Sequence, residues 1–178
     1  MSNGALTLLL GGARSGKSAL AVEIGRRHHG PVTFIATSPL SIDGDLSQRI
    51  ARHRAERPAW PTIEEPVDLR GALAAVGDGL AIVDCVTLWV NNLLQRGDDD
   101  TAIEAAAADV AATTARRPGP TVVITNEVGL GVHPPTELGR RYRDVLGRVN
   151  QRWAAAAETA LLLVAGRALP LTDPWTLL

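Results

Sequence analysis

The sequence predicts an α/β protein in which a mostly parallel sheet is flanked by helices, and two observations support this prediction. Short apolar runs, typical of buried parallel strands, alternate along the chain with segments of helical pattern. The first run leads directly into a glycine-rich loop and then into an amphipathic segment. Because the chain has 178 residues, 46% of them hydrophobic, we expect a single domain over residues 1–178 with a sizeable core.

The loop after the first predicted strand matches the Walker A pattern G-x-x-x-x-G-K-[ST], which is formed here by Gly11, Gly16, Lys17 and Ser18. Glycines let backbone N–H groups approach phosphate oxygens, and the N-terminus of the following helix favours negative charge. Lys17, the only lysine of the chain, is predicted to contact the β- and γ-phosphates, and Ser18 to bind Mg²⁺. The alternative is a glycine-rich turn that binds nothing.

The remaining strands are predicted from further apolar runs. With the first strand, the predicted set is 6–10, 32–36, 80–83, 121–124 and 161–165. Parallel sheets bind their ligands at the carboxyl ends of the strands. The segments GGARSGKS, TSP, DCVT, TNEVGLG and GRALPL, which follow these runs, are therefore the places to look for a site.

An alanine-rich segment at residues 101–117 is predicted to form a scaffold helix that stops at the sequence PGP. The RGDDD sequence at residues 96–100 precedes it. Acidic runs are usually solvated, so we interpret this sequence as an exposed turn or a charged helix edge and give a metal site little weight.

The charge balance and the single cysteine argue against several functions. A formal net charge of -1 is unfavourable for non-specific binding to nucleic acid, which depends on an excess of basic charge. Cys85 cannot form an intramolecular disulfide, and its apolar neighbours favour a small buried side chain over a catalytic thiol. The N-terminal apolar run lacks a basic region, and no run reaches the roughly 20 apolar residues of a membrane span. We expect a soluble, cytoplasmic protein that does not bind membranes.

Asp84 ends the apolar run LAIVD, which is the Walker B arrangement. A carboxylate at this strand tip can face the Mg²⁺ ion that Ser18 is predicted to bind, directly or through water. A strand-end Asp can also cap the next helix, and the two roles are compatible.

An unusual group of basic residues occurs in the segment DLSQRIARHRAERPAW. If Asp45 or Ser47 caps a helix, then Arg49, His53 and Arg57 lie near one helix face. Two neighbouring guanidinium groups disfavour protonation of the imidazole, which would keep His53 nucleophilic while the arginines hold phosphates. An arginine-flanked histidine is more often part of a solvated helix face, and the residue pattern alone leaves this alternative open.

Seven motifs occur in a characteristic order: GGARSGKS, FIATSP, RIARHRAERPAW, TIEEP, IVDCVTLWVNNLL, TNEVGLGVHP and RRYRDVLGRVNQRWAAAAE. From Leu6 to about Leu171, the chain resembles the bifunctional adenosylcobinamide kinase / adenosylcobinamide-phosphate guanylyltransferase family of cobalamin biosynthesis. The resemblance implies a RecA-like P-loop fold, phosphorylation of adenosylcobinamide by ATP or GTP, and transfer of GMP from GTP to adenosylcobinamide phosphate through a guanylylated histidine. It also implies a homo-oligomer, specifically a trimer.

The resemblance also implies roles for individual residues. By motif position, His53 is the guanylylated histidine, whereas His28 and His29 are not equivalent to it. The Walker patterns already predict that Lys17 is catalytic and that Ser18 and Asp84 bind Mg²⁺. The Walker A motif predicts nucleotide binding by Gly11, Gly12, Ala13, Arg14, Ser15, Gly16, Lys17 and Ser18, and the resemblance implies the further nucleotide-binding residues Ala36, Thr37, Ser38, Arg54, Ala55, Glu56, Arg57, Glu64 and Asp84.

Two features depart from the family pattern, namely His133 in GVHPP and the tail after Leu171. Neither concerns the phosphate chemistry, but both leave the detailed substrate contacts open. We interpret His133 as a loop residue and not as a second catalytic base. Two other functions fit the Walker residues alone: a P-loop kinase for another small metabolite, and a nucleotide-dependent switch protein.

Overall fold

The computed structural model describes residues 5–38 and 58–178. Within them, seven strands form one sheet in the order β3-β2-β4-β5-β1-β6-β7. All neighbouring strands are parallel except β6 and β7, which are antiparallel. The strands are β1 (Leu6–Gly11), β2 (Val32–Ala36), β3 (Thr62–Glu64), β4 (Leu80–Asp84), β5 (Thr121–Ile124), β6 (Thr159–Val164) and β7 (Arg167–Pro170).

Helices cover both faces of this sheet. In the described residues they are α1 (Lys17–Arg27), α2 (Leu69–Ala75), α3 (Val86–Arg96), α4 (Asp100–Ala115), α5 (Glu137–Ala156) and a short 3₁₀ helix (Pro174–Thr176). Leu9, Ile82 and Ile124 belong to the apolar cluster that also contains Ala21 of α1. The opposite face packs against the other α-helices, which bury Trp89 and Trp153. None of the helices described is long and apolar enough to cross a membrane.

The structure confirms that each predicted apolar run contributes to a strand. The central strands are buried on both faces, which explains why their sequences are apolar throughout. The prediction at 161–165 is displaced, since β6 begins at Thr159 and ends at Val164, and Ala165 has a φ of 51° in the turn that follows. Two strands were missed. β3 has only three residues, and β7 is exposed along its length, so neither forms an apolar run.

The scaffold helix and the turn before it are also confirmed, with α4 over Asp100–Ala115. Asp99 caps this helix by accepting a hydrogen bond from the N–H of Ala102 at 2.8 Å. Asp100 pairs with Arg141 at 2.7 Å and with Arg148 at 3.0 Å, which ties α4 to α5. In the described part of the chain, no group of three or more acidic, His or Cys side chains could hold a metal ion.

Arg117 stabilises the amino-terminal edge of the sheet. Its buried guanidinium donates hydrogen bonds to the carbonyl oxygens of Gly77 at 2.9 Å and Gly79 at 3.2 Å, and to the hydroxyl of Thr121 at 2.5 Å. Burial lowers the pKa of Arg117. The residue therefore links the loop before β4 to the first residue of β5.

We predict that Arg117→Met lowers the free energy of unfolding by about 2–3 kcal/mol, because buried carbonyl groups lose a charged donor while the apolar stem is retained. Arg116→Met is the matched control, since Arg116 is exposed; it should change stability by less than about 0.5 kcal/mol. Urea unfolding measures both values. Equal stability of the two variants would show that the buried guanidinium does not stabilise the fold.

Candidate active site

The Walker A loop connects β1 to α1, and its two motif glycines have backbone conformations that other residues rarely adopt. Gly11 has a φ of 150° and Gly16 a φ of 103°. A Cβ atom on Gly11 would lie 2.4 Å from the carbonyl oxygen of Leu163 on β6. Between the two glycines, residues 12–14 are exposed, so a ligand could reach this part of the loop.

Neighbouring segments hold the loop from two sides. On the β5 side, the N–H of Glu127 donates to the carbonyl oxygen of Gly11 at 3.2 Å. On the β6 side, the N–H of Gly166 in the β6–β7 turn donates to the carbonyl oxygen of Ser15 at 3.0 Å. Both strands beside β1 therefore contribute to the loop's shape.

The Lys17 ammonium is directed back onto its own loop. It donates to the carbonyl oxygens of Gly11 at 2.8 Å and Gly12 at 2.7 Å, and to the hydroxyl of Ser15 at 3.4 Å. Burial lowers the pKa of Lys17, while the nearby Cys85 and Asp84 oppose this effect. The loop oxygens compensate for burial of the ammonium, and phosphate oxygens could replace them as acceptors.

Ser18 and Asp84 come together as the Walker A and B patterns predict. The Ser18 hydroxyl donates to Asp84 Oδ2 at 3.4 Å. Two adjacent ligands of one Mg²⁺, each about 2.1 Å from the ion, lie about 3 Å apart, so this oxygen pair fits the ion. The alternative role of Asp84 as a helix cap is wrong, because Cys85 is the N-cap residue of α3.

Thr37 is fixed beside Asp84 by a buried group of hydrogen bonds. Its hydroxyl donates to the carbonyl oxygen of Cys85 at 2.7 Å and accepts from the Cys85 N–H at 2.8 Å. The Thr37 N–H donates to the carbonyl oxygen of Asp84 at 3.2 Å. Asn92 donates from its amide nitrogen to the carbonyl oxygens of Thr37 at 2.7 Å and Pro66 at 2.9 Å. The Thr37 hydroxyl thus bonds to the backbone of Cys85, directly after β4, and holds the end of β2 beside Asp84.

Other predicted residues line up at the same edge of the sheet. Ala36 pairs with Asp84 on one side and with Glu64 on the other, so all three lie at one level. Ser38 follows and is half-buried, and Glu64 is exposed.

The predicted residues of the histidine segment lie outside the described part of the chain; they are Arg49, His53, Arg54, Ala55, Glu56 and Arg57. His28 is the C-cap residue of α1, and His29 is exposed beyond it. His133 is exposed in the loop before α5, as its interpretation as a loop residue predicts. None of these three histidines belongs to the Walker A or Walker B segment.

Cys85 is a buried thiol directly after Asp84. Burial raises its pKa to about 12, and the negative charge of Asp84 acts in the same direction. A thiol with this pKa is protonated at neutral pH and is a poor nucleophile. The prediction of a structural cysteine therefore agrees with its environment.

A buried polar network beneath the loop after β5 was not singled out from the sequence. The Thr125 hydroxyl donates to Asn150 Oδ1 at 2.8 Å, and the amide nitrogen of Asn150 donates to the carbonyl oxygen of Asn126 at 3.1 Å. Thr87 accepts from the Asn126 N–H at 2.7 Å. The only sequence signal for this network was that the segment TNEVG follows a predicted strand. No local sequence pattern connects this segment to α3 or α5.

Comparison with known proteins gives a family match and curated relatives. The family model described as "Cobinamide kinase / cobinamide phosphate guanyltransferase" matches residues 7–171. The chain is 41% identical to the bifunctional adenosylcobalamin biosynthesis protein CobP of Pseudomonas aeruginosa, over 92% of this chain and 95% of that protein. It is 39% identical to the bifunctional adenosylcobalamin biosynthesis protein CobU of Escherichia coli, over 90% of this chain and 96% of that protein.

Solved structures of distant sequence share the fold. An ATPase from the type III secretion system of pathogenic bacteria superposes with a TM-score of 0.60 at 12% identity, covering 92% of this chain and 52% of that one. A protein from Pyrococcus horikoshii OT3 has a TM-score of 0.60 at 10% identity, with 98% and 90% coverage. Together with the parallel sheet, these similarities confirm the predicted RecA-like P-loop fold.

We predict that Asp84→Asn raises the Mg²⁺ concentration needed for half-maximal nucleotide turnover at least tenfold, because a neutral amide replaces the carboxylate 3.4 Å from the Ser18 hydroxyl. Magnesium titration of activity measures the change. Asp109→Asn is the control, since Asp109 is an exposed residue of α4 that pairs with Arg70. An unchanged magnesium titration in Asp84→Asn would contradict a metal-binding role.

We further predict a pH effect from Cys85, whose pKa is raised to about 12 in the folded state and is about 8.5 in an unfolded chain. Above pH 8.5 the unfolded state releases this proton and the folded state keeps it, so folding is disfavoured as pH rises. Relative to Cys85→Ala, the wild type should lose about 1.4 kcal/mol of unfolding free energy by pH 9.5. Urea unfolding at pH 7.5 and 9.5 measures the difference, and parallel pH profiles would contradict the shift.

Proposed function

This chain belongs to the cobinamide kinase / cobinamide phosphate guanyltransferase family, and on that premise we propose that it phosphorylates adenosylcobinamide and then transfers GMP from GTP to adenosylcobinamide phosphate. The products of the second reaction are adenosyl-GDP-cobinamide and pyrophosphate. The observation that carries the proposal is the meeting of Ser18 with Asp84 at the end of a Walker A loop, within a family match over residues 7–171. Family membership favours these reactions over a kinase for another metabolite or a switch protein.

The phosphorylation step uses the Walker residues. The alcohol oxygen forms a bond to the γ-phosphorus of ATP or GTP, the bond to the nucleoside diphosphate breaks, and the hydroxyl proton passes to solvent. Lys17 exchanges its contacts with Gly11 and Gly12 for phosphate oxygens, where its charge stabilises the transferred group. Ser18 and Asp84 would hold Mg²⁺, which neutralises phosphate charge when bound.

The guanylyl step requires a nucleophile, which we assign to His53 on the sequence motif. Its imidazole nitrogen forms a bond to the α-phosphorus of GTP, and pyrophosphate leaves with the electron pair of the broken bond. A phosphate oxygen of adenosylcobinamide phosphate then displaces the imidazole from the GMP. Arg49 and Arg57 hold phosphates and disfavour protonation of the imidazole.

Further parts of the proposal concern the rest of the nucleotide site. The exposure of residues 12–14 and the alignment of Ala36 and Glu64 with Asp84 support their contact with the nucleotide. Ser38 and residues 54–57 are assigned to the same site by resemblance. We also propose that the protein is a trimer, that it is cytoplasmic and that residues 1–178 form a single domain.

We predict that His53→Ala abolishes the covalent GMP adduct and guanylyl transfer but retains substantial phosphorylation of adenosylcobinamide. Phosphoryl transfer to an alcohol needs Lys17 and Mg²⁺ but no protein nucleophile. Lys17→Ala should weaken or abolish both reactions, since the triphosphate loses its positive contact. Incubation with α-labelled GTP, intact mass measurement and peptide mapping follow the adduct, and phosphorylation is assayed separately.

His133→Ala is the matched histidine control and should form the adduct at the normal rate, because His133 is an exposed loop residue outside the Walker segments. An adduct mapped to another residue, or normal adduct formation in His53→Ala, would contradict the assignment of the nucleophile. Wild-type nucleotide affinity and turnover in Lys17→Ala would contradict the phosphate site.

A further inference from the structure

We propose that Asn126 is a catalytic residue of the phosphorylation step, whose side-chain amide donates a hydrogen bond to the γ-phosphoryl group during transfer. The inference rests on the proposed function and adds a residue to its site. It follows from the face of the sheet on which Asn126 lies, from its place between the Walker A loop and Asp84, and from the buried contacts that hold its backbone.

The residues after β5 continue its ladder with β1, which decides the face of the sheet on which Asn126 lies. β5 is assigned as far as Ile124, which pairs with Leu9. Hydrogen bonds to β1 continue beyond this point, because the Thr125 N–H donates to Leu9 O at 3.0 Å and the Glu127 N–H donates to Gly11 O at 3.2 Å. Side chains alternate between faces in such a ladder, so Asn126 lies on the same face as Ile124.

That face carries the phosphate site. Ile124 shares an apolar cluster with Ala21 of α1, the helix that begins at Lys17. Asp84 also lies on this face, since its carboxylate contacts Ser18 of α1. The Thr125 side chain, by contrast, contacts Asn150 of α5 on the other face.

Along the strands, Asn126 lies beyond Asp84 and beside the start of the Walker A loop. Ile124 is in register with Asp84 on β4, and Asn126 lies two residues, about 6.6 Å, farther toward the ligand. Continuing the β1 register places Asn126 beside Gly11, where the Walker A loop begins. Because β5 lies between β1 and β4, Asn126 stands between the phosphate loop and Asp84. The γ-phosphate of a nucleotide held by Lys17, Ser18 and Asp84 would occupy this space.

Two buried side chains anchor the backbone of Asn126. The Asn126 N–H donates to Thr87 Oγ1 at 2.7 Å, and its carbonyl oxygen accepts from the Asn150 amide at 3.1 Å. Thr87 and Asn150 are buried, and Asn150 also accepts from Thr125. These bonds use only the backbone of Asn126 and leave its side-chain amide available to a ligand. A donor fixed in this way needs little rearrangement when charge develops on the phosphoryl oxygens.

The chemistry separates the two proposed reactions. In phosphorylation, the alcohol oxygen bonds to the γ-phosphorus while the bond to the β-phosphate oxygen breaks and the electron pair leaves with the nucleoside diphosphate; the hydroxyl proton passes to solvent. The amide of Asn126 then contacts the group that changes its bonding. In guanylylation the reacting atom is the α-phosphorus, so loss of a γ-phosphate contact has a much smaller effect on that rate.

The test compares Asn126→Ala and Asn126→Asp with Asn91→Ala, a half-buried asparagine of α3 as control. We expect kcat for phosphorylation to fall about 100-fold in Asn126→Ala, with the nucleotide KM, the rate of GMP-adduct formation and the thermal midpoint little changed. Asn126→Asp keeps the shape but cannot donate and repels phosphate, so its kcat should fall at least as far. Asn91→Ala should resemble the wild type.

If the wild type phosphorylates adenosylcobinamide and the kcat of Asn126→Ala lies within threefold of the wild-type value, the proposal is overturned. A parallel loss of both reactions together with a lowered thermal midpoint would also overturn it, because that pattern belongs to a structural role. These outcomes differ from failure of the proposed function, in which the wild type itself would not phosphorylate adenosylcobinamide.

Discussion

The site depends on how closely two backbones approach at the end of β1. Gly11 lies so near β6 that a Cβ would be 2.4 Å from the carbonyl oxygen of Leu163 and 2.7 Å from the hydroxyl of Ser15. At the same residue, the carbonyl oxygen accepts from both Lys17 and the N–H of Glu127. A side chain here would separate β1 from β6 and would disturb the loop, the ammonium and the β5 ladder together. The close contact therefore fixes the phosphate loop, Lys17 and the segment after β5 relative to one another.

Asp84 is placed by a second set of contacts, which is independent of the loop. Thr37 bonds to the backbone of Asp84 and Cys85, and Asn92 bonds to the backbone of Thr37. Burying these polar groups is costly, and the bonds of the Thr37 hydroxyl and the Asn92 amide nitrogen offset part of that cost and give the strand ends one arrangement. Among the described residues, Asn92 Oδ1 has no hydrogen-bond partner. The loop end and the carboxylate end of the site are thus held by separate groups of residues.

Much of the fold and the loop could be predicted because the relevant signals are local. The central strands are apolar on both faces, and the Walker A residues are contiguous around Gly16 and Lys17. The pairing of Ser18 with Asp84 was also predictable, since strand ends of a parallel sheet meet at one edge. β3 and β7 were not predictable in this way, because exposed strands depend on the neighbour with which they pair and not on apolar runs.

The supporting contacts of the site depend on the tertiary fold, which local patterns do not reveal. Asn150 bonds to Thr125 from 25 residues away, and Thr37 bonds to Cys85 from 48 residues away. No sequence spacing predicts either pair. The Asn150 contact follows from how α5 packs on the sheet, and the Thr37 contact follows from the register of β2 and β4, in which Ala36 pairs with Asp84. The Walker A pattern predicts phosphate contacts for Lys17 and gives no signal for its contacts with the carbonyl groups of its own loop.

The two edges of the sheet have a consequence for solubility in concentrated solution. Exposed edge strands can pair with other chains and extend a sheet into aggregates. Among the described strands, one edge, β3, has only three residues, and the other, β7, contains Arg167 and Pro170. Pro170 has no N–H to donate to an incoming strand, and the arginine carries charge. Although Leu169 is exposed on β7, both edges therefore disfavour growth of the sheet from one molecule to the next.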